Sequence, residues 1–248
     1  MPTEDPMPRR LLLVNPNTSA PVTARLAQHV QAALRDEDVT VQACTARFGA
    51  EYISSEASYA VAAHATLDAY AAAVAIDGRP DAVLVGCFGD PGVFALRELC
   101  PHPVTGLAEA AMREAAALGR FAIVTGGAAW APMLRRLAYG LGLHEALAGV
   151  HTVAASGLQL SSDLDAARAA LRPACLAAAQ GEGVRSVIVG GAGLAGLAAR
   201  LAGDVPVPLI DSVEAGARQA LRAAPAAVAA SAVRWQGLSA PLQQLLLG

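Results

Sequence analysis

The sequence predicts an α/β fold of two similar doubly wound, Rossmann- or flavodoxin-like lobes with parallel sheets, pseudo-twofold related, with a cleft between them. Three observations predict it. Short runs rich in Val, Ile and Leu alternate with Ala-rich helical stretches, which is the βαβ rhythm. Several of those runs are apolar throughout, as parallel strands covered on both faces must be. The chain also repeats itself. "RRLLLVNPNTSAPVTARLAQHV" from Arg9 resembles "GRFAIVTGGAAWAPMLRRLAYGL" from Gly119, and "DAVLVGCFGDPG" from Asp81 resembles "RSVIVGGAGLAG" from Arg185.

In chain order, the strand candidates are "RLLLVN", "DVTVQACT", "DAVLVG", "FAIVTG", "VHTVAA", "SVIVG" and "VPLID". Helices are expected between them over Ser19–Leu34, Glu56–Ala75, Val93–Leu99, Ala108–Leu118, Pro132–Gly140, Ser162–Gln180 and Val213–Ala223. The tail after Arg222 is Ala-rich and ends in "RWQGLSAPLQQLLLG". Its Trp235 and leucines predict apolar burial, as a docking helix or an oligomer contact. Proline marks two crossings between lobes, near Cys100–Thr105 and near Val205–Asp211. The expected division is therefore 9–100 plus 211–248 for the first lobe and 101–210 for the second.

Composition narrows the function. A length of 248 residues allows one large domain or two smaller ones. With 54% hydrophobic and 16% charged residues the chain has ample core and is not disordered. The net charge of −3 and the absence of a Lys/Arg stripe argue against nucleic-acid binding. No run reaches the ~18 uncharged apolar residues of a membrane span. The start, "MPTEDPMPRR", is proline-rich, with an acidic pair before an arginine pair, and the apolar run Leu11–Val14 is too short for a signal peptide. A cytoplasmic protein without a membrane partner is expected.

The four cysteines, Cys44, Cys87, Cys100 and Cys175, show no C-x-x-C spacing and no paired histidines nearby, which argues against zinc. Free thiols are expected in a reducing compartment. Cys44, Cys100 and Cys175 read as small buried hydrophobes. Cys87 stands apart because glycines flank it at a strand end.

In open α/β sheets ligands sit beyond the carboxyl ends of the strands. Four such ends supply Asn15–Ser19, Gly86–Asp90, Thr125–Gly127 and Gly190–Gly193. "NPNTS" offers amides and hydroxyls, part of which a helix cap would use. "GCFGDPG" sets a thiol beside backbone N–H groups, a setting that lowers a thiol pKa; those donors could also stabilise oxyanion charge. His29, His64, His102, His144 and His151 lack a clear partner, which argues against a Cys-His hydrolytic dyad. Gly191, Gly193 and Gly196 have the G-x-G-x-x-G spacing of a dinucleotide site. Its late position, its likeness to the cysteine loop and an acidic residue only at Asp211, across "VPVP", argue against that reading.

Taken together, "NPNTS", "GCFGDPG", "RELCPHPVTGLAEAA", "FAIVT" and "VIVGGAGLAGL...VPVPLIDSVEAG" resemble the hydantoin racemase branch of the aspartate/glutamate racemase superfamily, from about Leu11 to about Leu221. The resemblance implies two α/β lobes around a cleft, no cofactor, a small-molecule substrate and a homo-oligomer. It implies proton transfer at a carbon α to a carbonyl, by two cysteines facing each other across the substrate. Cys87 matches the first. The second falls, in the family pattern "GCAGM", at Gly191, which cannot transfer a proton.

By the same resemblance, Asn15, Asn17, Ser54, Ser55, Thr125 and Gly126 are substrate-binding. So is the backbone at Phe88 and Gly89 and at Ala192 and Gly193. "TGG" at Thr125–Gly127 implies a roomier or less polar pocket than the family's. Three readings follow: a racemase-like isomerase using Cys87; a one-thiol decarboxylase or tautomerase of the arylmalonate decarboxylase kind; or a non-catalytic small-molecule binder.

Overall fold

In the computed structural model, residues 8–155, 159–160, 163–225 and 235–247 are described. The first sheet holds β1 (Arg9–Asn15), β2 (Val39–Thr45), β3 (Ala82–Val85) and β4 (Val104–Gly106) in the order β2-β1-β3-β4. The second holds β5 (Arg120–Gly126), β6 (Leu147–Val153), β7 (Val184–Val189) and β8 (Leu209–Asp211) in the order β6-β5-β7-β8. Every pairing is parallel. The second order is the first shifted by four, so the repeat seen in the sequence is a repeat of topology.

Helices α1 (Ala20–Ala33), α2 (Glu56–Asp77) and α3 (Val93–Leu99) serve the first lobe, and α5 (Trp130–Gly140), α6 (Leu164–Ala179) and α7 (Leu197–Leu201) the second. Two more, α4 (Leu107–Leu118) and α8 (Ser212–Ala220), follow β4 and β8 and exchange partners. Helix α4 leaves the first sheet and packs on β5, β7 and β8, while α8 leaves the second and packs on β3 and β4. The two helices also pack on each other. Small residues allow this approach: a β-carbon at Gly216 of α8 would lie 2.7 Å from Leu107 of α4.

The alternation of strand side chains builds three cores. Leu11, Leu13 and Leu84 of the first sheet and Phe121, Ile123 and Ile188 of the second share one cluster with α4 and α8. Leu12, Val14, Val83 and Val85 pack outward in a cluster with Tyr70 of α2, and Ala122, Val124, Val187 and Val189 pack outward in a cluster with Leu171 of α6. The central cluster runs through both sheets, so the lobes share a core.

The expected lobe boundary needs correction. Val104–Gly106 pairs with β3, so the first crossing falls at Gly106–Leu107, not after Cys100. A three-residue strand behind "PHP" carries too little alternation to announce itself. The return crossing falls at Asp211–Ser212, one residue past the expected place. The expected helix start at Ser162 lies outside the described residues, where Asp163 caps α6 by accepting from the N–H groups of Asp165 and Ala166. The tail forms α9 (Ala240–Leu247), which packs on α2.

Helix α2 is long and apolar enough, by those two measures alone, to cross a membrane. It instead buries Ala62, Ala65, Ala69 and Tyr70. Midway along it, the buried Asp68 accepts two bonds from the Arg47 guanidinium, at 2.9 and 2.7 Å.

Candidate active site

The two cleft-facing loops begin identically. After β3, the Gly86 N–H donates to Val14 O at 2.8 Å; after β7, the Gly190 N–H donates to Val124 O at 2.9 Å. The next residues, Cys87 and Gly191, therefore occupy equivalent places in the two lobes. Gly191 carries φ +146°, a region L side chains rarely adopt.

Past Cys87 the chain turns tightly. The N–H groups of Gly89 and Asp90 both donate to Cys87 O, at 3.0 and 3.1 Å. Asp90 has φ +54°, unique among the described non-glycine residues. That turn aims the Asp90 carboxylate at the start of α4, where it accepts from the N–H groups of Ala108 (2.9 Å) and Glu109 (2.7 Å). These are orphan donors that every helix start must satisfy. The carboxylate occupies the space of a β-carbon at Gly106, which would lie 2.1 Å from Asp90 Cγ.

The second lobe meets the same need from the other side. At the place of Gly106 it carries Asp211. Asp211 accepts from the N–H groups of Val213 (2.8 Å), Glu214 (3.3 Å) and Gly196 (2.7 Å). The acid that would bind a ribose in a dinucleotide site is thus spent on a helix cap. Gly196 opens a helix of only five residues.

Each lobe lays an aromatic ring on a glycine of the other. Phe88 covers Gly190, where a β-carbon would lie 2.1 Å from the ring, and Trp130 covers Gly89, where the distance would be 2.3 Å. A polar clasp runs beside them. The Arg136 guanidinium of α5 binds the Glu56 carboxylate of α2 through both nitrogens and lies over the Tyr59 ring, 5.6 Å from its centroid. The Tyr59 hydroxyl donates to Gly89 O at 2.8 Å, tying the clasp to the cysteine loop.

Between these contacts lies a cavity of about 60 Å³. On a scale of ~10–15 Å³ per water it has room for a small ring. The first lobe supplies Asn17, Val22, Tyr52, Ile53, Gly86, Cys87 and Phe88; the second supplies Thr125, Gly126, Trp130, Gly190, Gly191, Ala192, Gly193 and Leu194. The lining is mostly apolar, and Trp130 and Leu194 take up space that "TGG" left to be expected.

Of the expected binding residues, Asn17, Phe88, Thr125, Gly126, Ala192 and Gly193 border this cavity with Cys87 and Gly191. Four do not. Asn15 is fully buried, and its amide nitrogen donates to Asn17 Oδ1 (2.8 Å), Thr23 Oγ1 (2.9 Å) and Ser19 O (3.2 Å), so it braces the loop. Asn17 Oδ1 also accepts from the Ser19 N–H, which leaves the Asn17 amide nitrogen for a ligand. Ser55 caps α2 at the surface in a capping box with Ser58, and the Ser54 N–H donates to Ser58 Oγ. Gly89 packs under Trp130. Sequence reasoning missed Tyr52, Trp130 and Leu194 as lining residues: Leu194 lies inside "GGAGLAG" and Trp130 inside the repeated segment, but only the fold turns the three side chains to the cleft.

The electrostatics also depart from expectation. Burial, reinforced by the nearby Asp90 charge, pushes the Cys87 thiol well above its ordinary range. Backbone N–H groups near the loop do not offset this, because Gly89 and Asp90 spend theirs on the Cys87 carbonyl. The thiol is therefore protonated at rest. Burial likewise pushes the Asp90 carboxyl up to about 7, against its bonds from Ala108 and Glu109. Cys44 and Cys175 are raised by burial to about 12 and about 11 and lie away from the cavity. Among the described residues no group of His, Cys, Asp or Glu is arranged to hold a metal ion.

Comparison with known proteins agrees with this architecture. The chain is 31% identical over 212 residues to a hydantoin racemase of Paenarthrobacter aurescens, spanning 85% of this chain and 89% of that one. The structure of an allantoin racemase from Klebsiella pneumoniae is similar over 96% of this chain and 98% of its own, at 30% identity and a TM-score of 0.83. An allantoin racemase from Pseudomonas fluorescens gives 28% identity and a TM-score of 0.81, over 88% of this chain and 93% of its own. The family model for Asp/Glu/hydantoin racemases matches residues 11–220, and the chain belongs to that family.

Proposed function

We propose that this chain is a cofactor-independent isomerase that moves a proton at the carbon α to a carbonyl of a small cyclic amide of the hydantoin class, with Cys87 as the acid/base. The observation that carries the reading is a protonated thiol on the wall of a small, mostly apolar cavity between two lobes. It is supported by the hydantoin and allantoin racemases among the relatives. Burial makes thiolate scarce but also makes each thiolate a stronger base, better matched to a carbon acid. Transfer from carbon to sulfur then shifts a negative charge within the cavity without creating one. The Asn17 amide offers a donor to the developing enolate oxygen. Incubation of single-enantiomer hydantoins and allantoin in deuterium oxide tests the reading. Deuterium is expected at the α-carbon; no incorporation across the panel refutes it.

Gly191 favours a second reading. A neutral thiol on one face and no side chain at the equivalent place in the other lobe suits a one-thiol decarboxylase or tautomerase, in which Cys87 protonates an enolate from one side. Release of carbon dioxide from an arylmalonate with a chiral product would select it.

The geometry at 191 also bears on the thiol the family pattern places there. A β-carbon at Gly191 would lie 3.2 and 3.3 Å from Leu194 Cγ and Cδ1, on a backbone at φ +146°. Gly191→Cys is expected to cost of order 1–3 kcal/mol and to lower the melting temperature by several degrees. Adding Leu194→Ala should recover part of that loss. Thermal melts of the two variants check this; an unchanged melt for Gly191→Cys would contradict it.

A further inference from the structure

Inversion at a carbon requires a proton-transfer group on each face, and position 191 supplies none. We propose that the second group is the Tyr52 hydroxyl, acting on the face turned away from Cys87. The proposal rests on the reading of Cys87 above and deepens it.

The placement argues for it. Tyr52 lies in the loop between β2 and α2, next to the buried Ile53, and both border the cavity. Its side chain starts in the first lobe but ends at the second. A β-carbon built on Gly127, in the turn after β5, would stand 4.0 Å from the Tyr52 hydroxyl oxygen and 3.6 Å from Trp130 Cδ1. The phenol thus reaches the wall formed by Thr125, Gly126 and Trp130, while the sulfur issues from the end of β3 on the other lobe.

Chemistry narrows the choice further. Of the residues lining the cavity, only Cys87 carries a thiol and only Tyr52 a phenol. Thr125 offers an alcohol and Trp130 an indole, both far weaker acids. The glycines, Ala192 and Leu194 on that wall offer nothing.

The step balances. Cys87 thiolate takes the α-hydrogen as a proton, and the C–H pair moves to the carbonyl oxygen as an enolate. The pair returns to carbon as Tyr52 delivers its hydroxyl proton to the opposite face. The products are the inverted substrate, the Cys87 thiol and the Tyr52 phenolate. Loss of a proton from the thiol to solvent and gain of one by the phenolate reset the site. The other enantiomer uses the same steps in reverse.

Tyr52→Phe keeps the ring and its packing and removes only the hydroxyl. Each enantiomer of a small alkyl hydantoin, taken separately in deuterium oxide, is followed by proton NMR for exchange and by chiral chromatography for inversion, beside a thermal melt. The ratio of inverted to exchanged product is expected to fall by a factor of ~10²–10⁴ in the variant. An unchanged ratio overturns the proposal. So does a folded variant in which exchange and inversion fall together for both enantiomers, because the proposal has only the enantiomer whose hydrogen Tyr52 takes lose both. Exchange without inversion by the unaltered chain also overturns it and leaves Cys87 in place. No exchange by the unaltered chain overturns both readings.

Discussion

Cys87→Ser is expected to lower α-proton exchange by a factor of ~10²–10⁴ and to leave the melting temperature within a few degrees of the parent. The two side chains differ little in size, and the sulfur makes no hydrogen bond that the fold depends on among the described residues. What changes is acidity. A serine hydroxyl is a far weaker acid than a thiol and cannot populate its anion in a site that already penalises the thiolate. Exchange in the parent should rise with pH throughout the neutral and mildly alkaline range. Burial and the Asp90 charge both disfavour the thiolate, so its fraction grows about tenfold per pH unit below the thiol's own titration. NMR exchange rates across a pH series check both statements. A serine variant that exchanges at the parental rate, or a flat profile in the parent, would mean that another group takes the proton.

Asp90→Asn should flatten the pH dependence of stability. The Asp90 carboxyl titrates at about 7 in the fold and near its ordinary value of ~4 when unfolded. Between those values the folded chain holds a proton that the unfolded chain has lost. Stability contributed by the protonated acid is therefore full below about pH 4 and is lost as pH rises towards about 7. At ~1.4 kcal/mol per pH unit this group alone accounts for a loss of order 4 kcal/mol. Asp211, also raised by burial, adds in the same direction.

Asparagine does not titrate. It keeps one oxygen for the two N–H groups that the carboxylate caps, so about 1 kcal/mol is lost at low pH. Urea midpoints between pH 4 and pH 8 should then decline clearly less in the variant than in the parent. Removal of the negative charge should also let Cys87 ionise more readily, and iodoacetamide should alkylate it faster at a fixed alkaline pH. Parallel stability profiles would rule out Asp90 as the titrating group.

The elements legible in the sequence are those with enough residues to show a pattern. The apolar runs of β1, β3, β5 and β7 announce buried parallel strands, and the paired "VG" endings place Cys87 and Gly191 at equivalent loops. β4 and α7, at three and five residues, are too short to show periodicity. Tertiary effects are equally hidden. The motif shows N–H groups near a thiol, but not that those groups are bonded elsewhere or that the fold buries the thiol deeply enough to raise it. Ser54 and Ser55 look like ligand hydroxyls, yet their distance from Ser58 suits a cap. Tyr52 stands two residues before Ser54 in the same segment, and only the fold shows that it, and not the serines, borders the cavity.

The crossed caps have a consequence for engineering. In one half, a carboxylate from the loop requires a bare α-carbon at Gly106; in the other, the acid grows from that very place as Asp211. Grafting the strand end of either half onto its sibling would therefore supply two acids to one helix start or none. The two halves are not interchangeable parts, and a chimera has to move loop and strand end together.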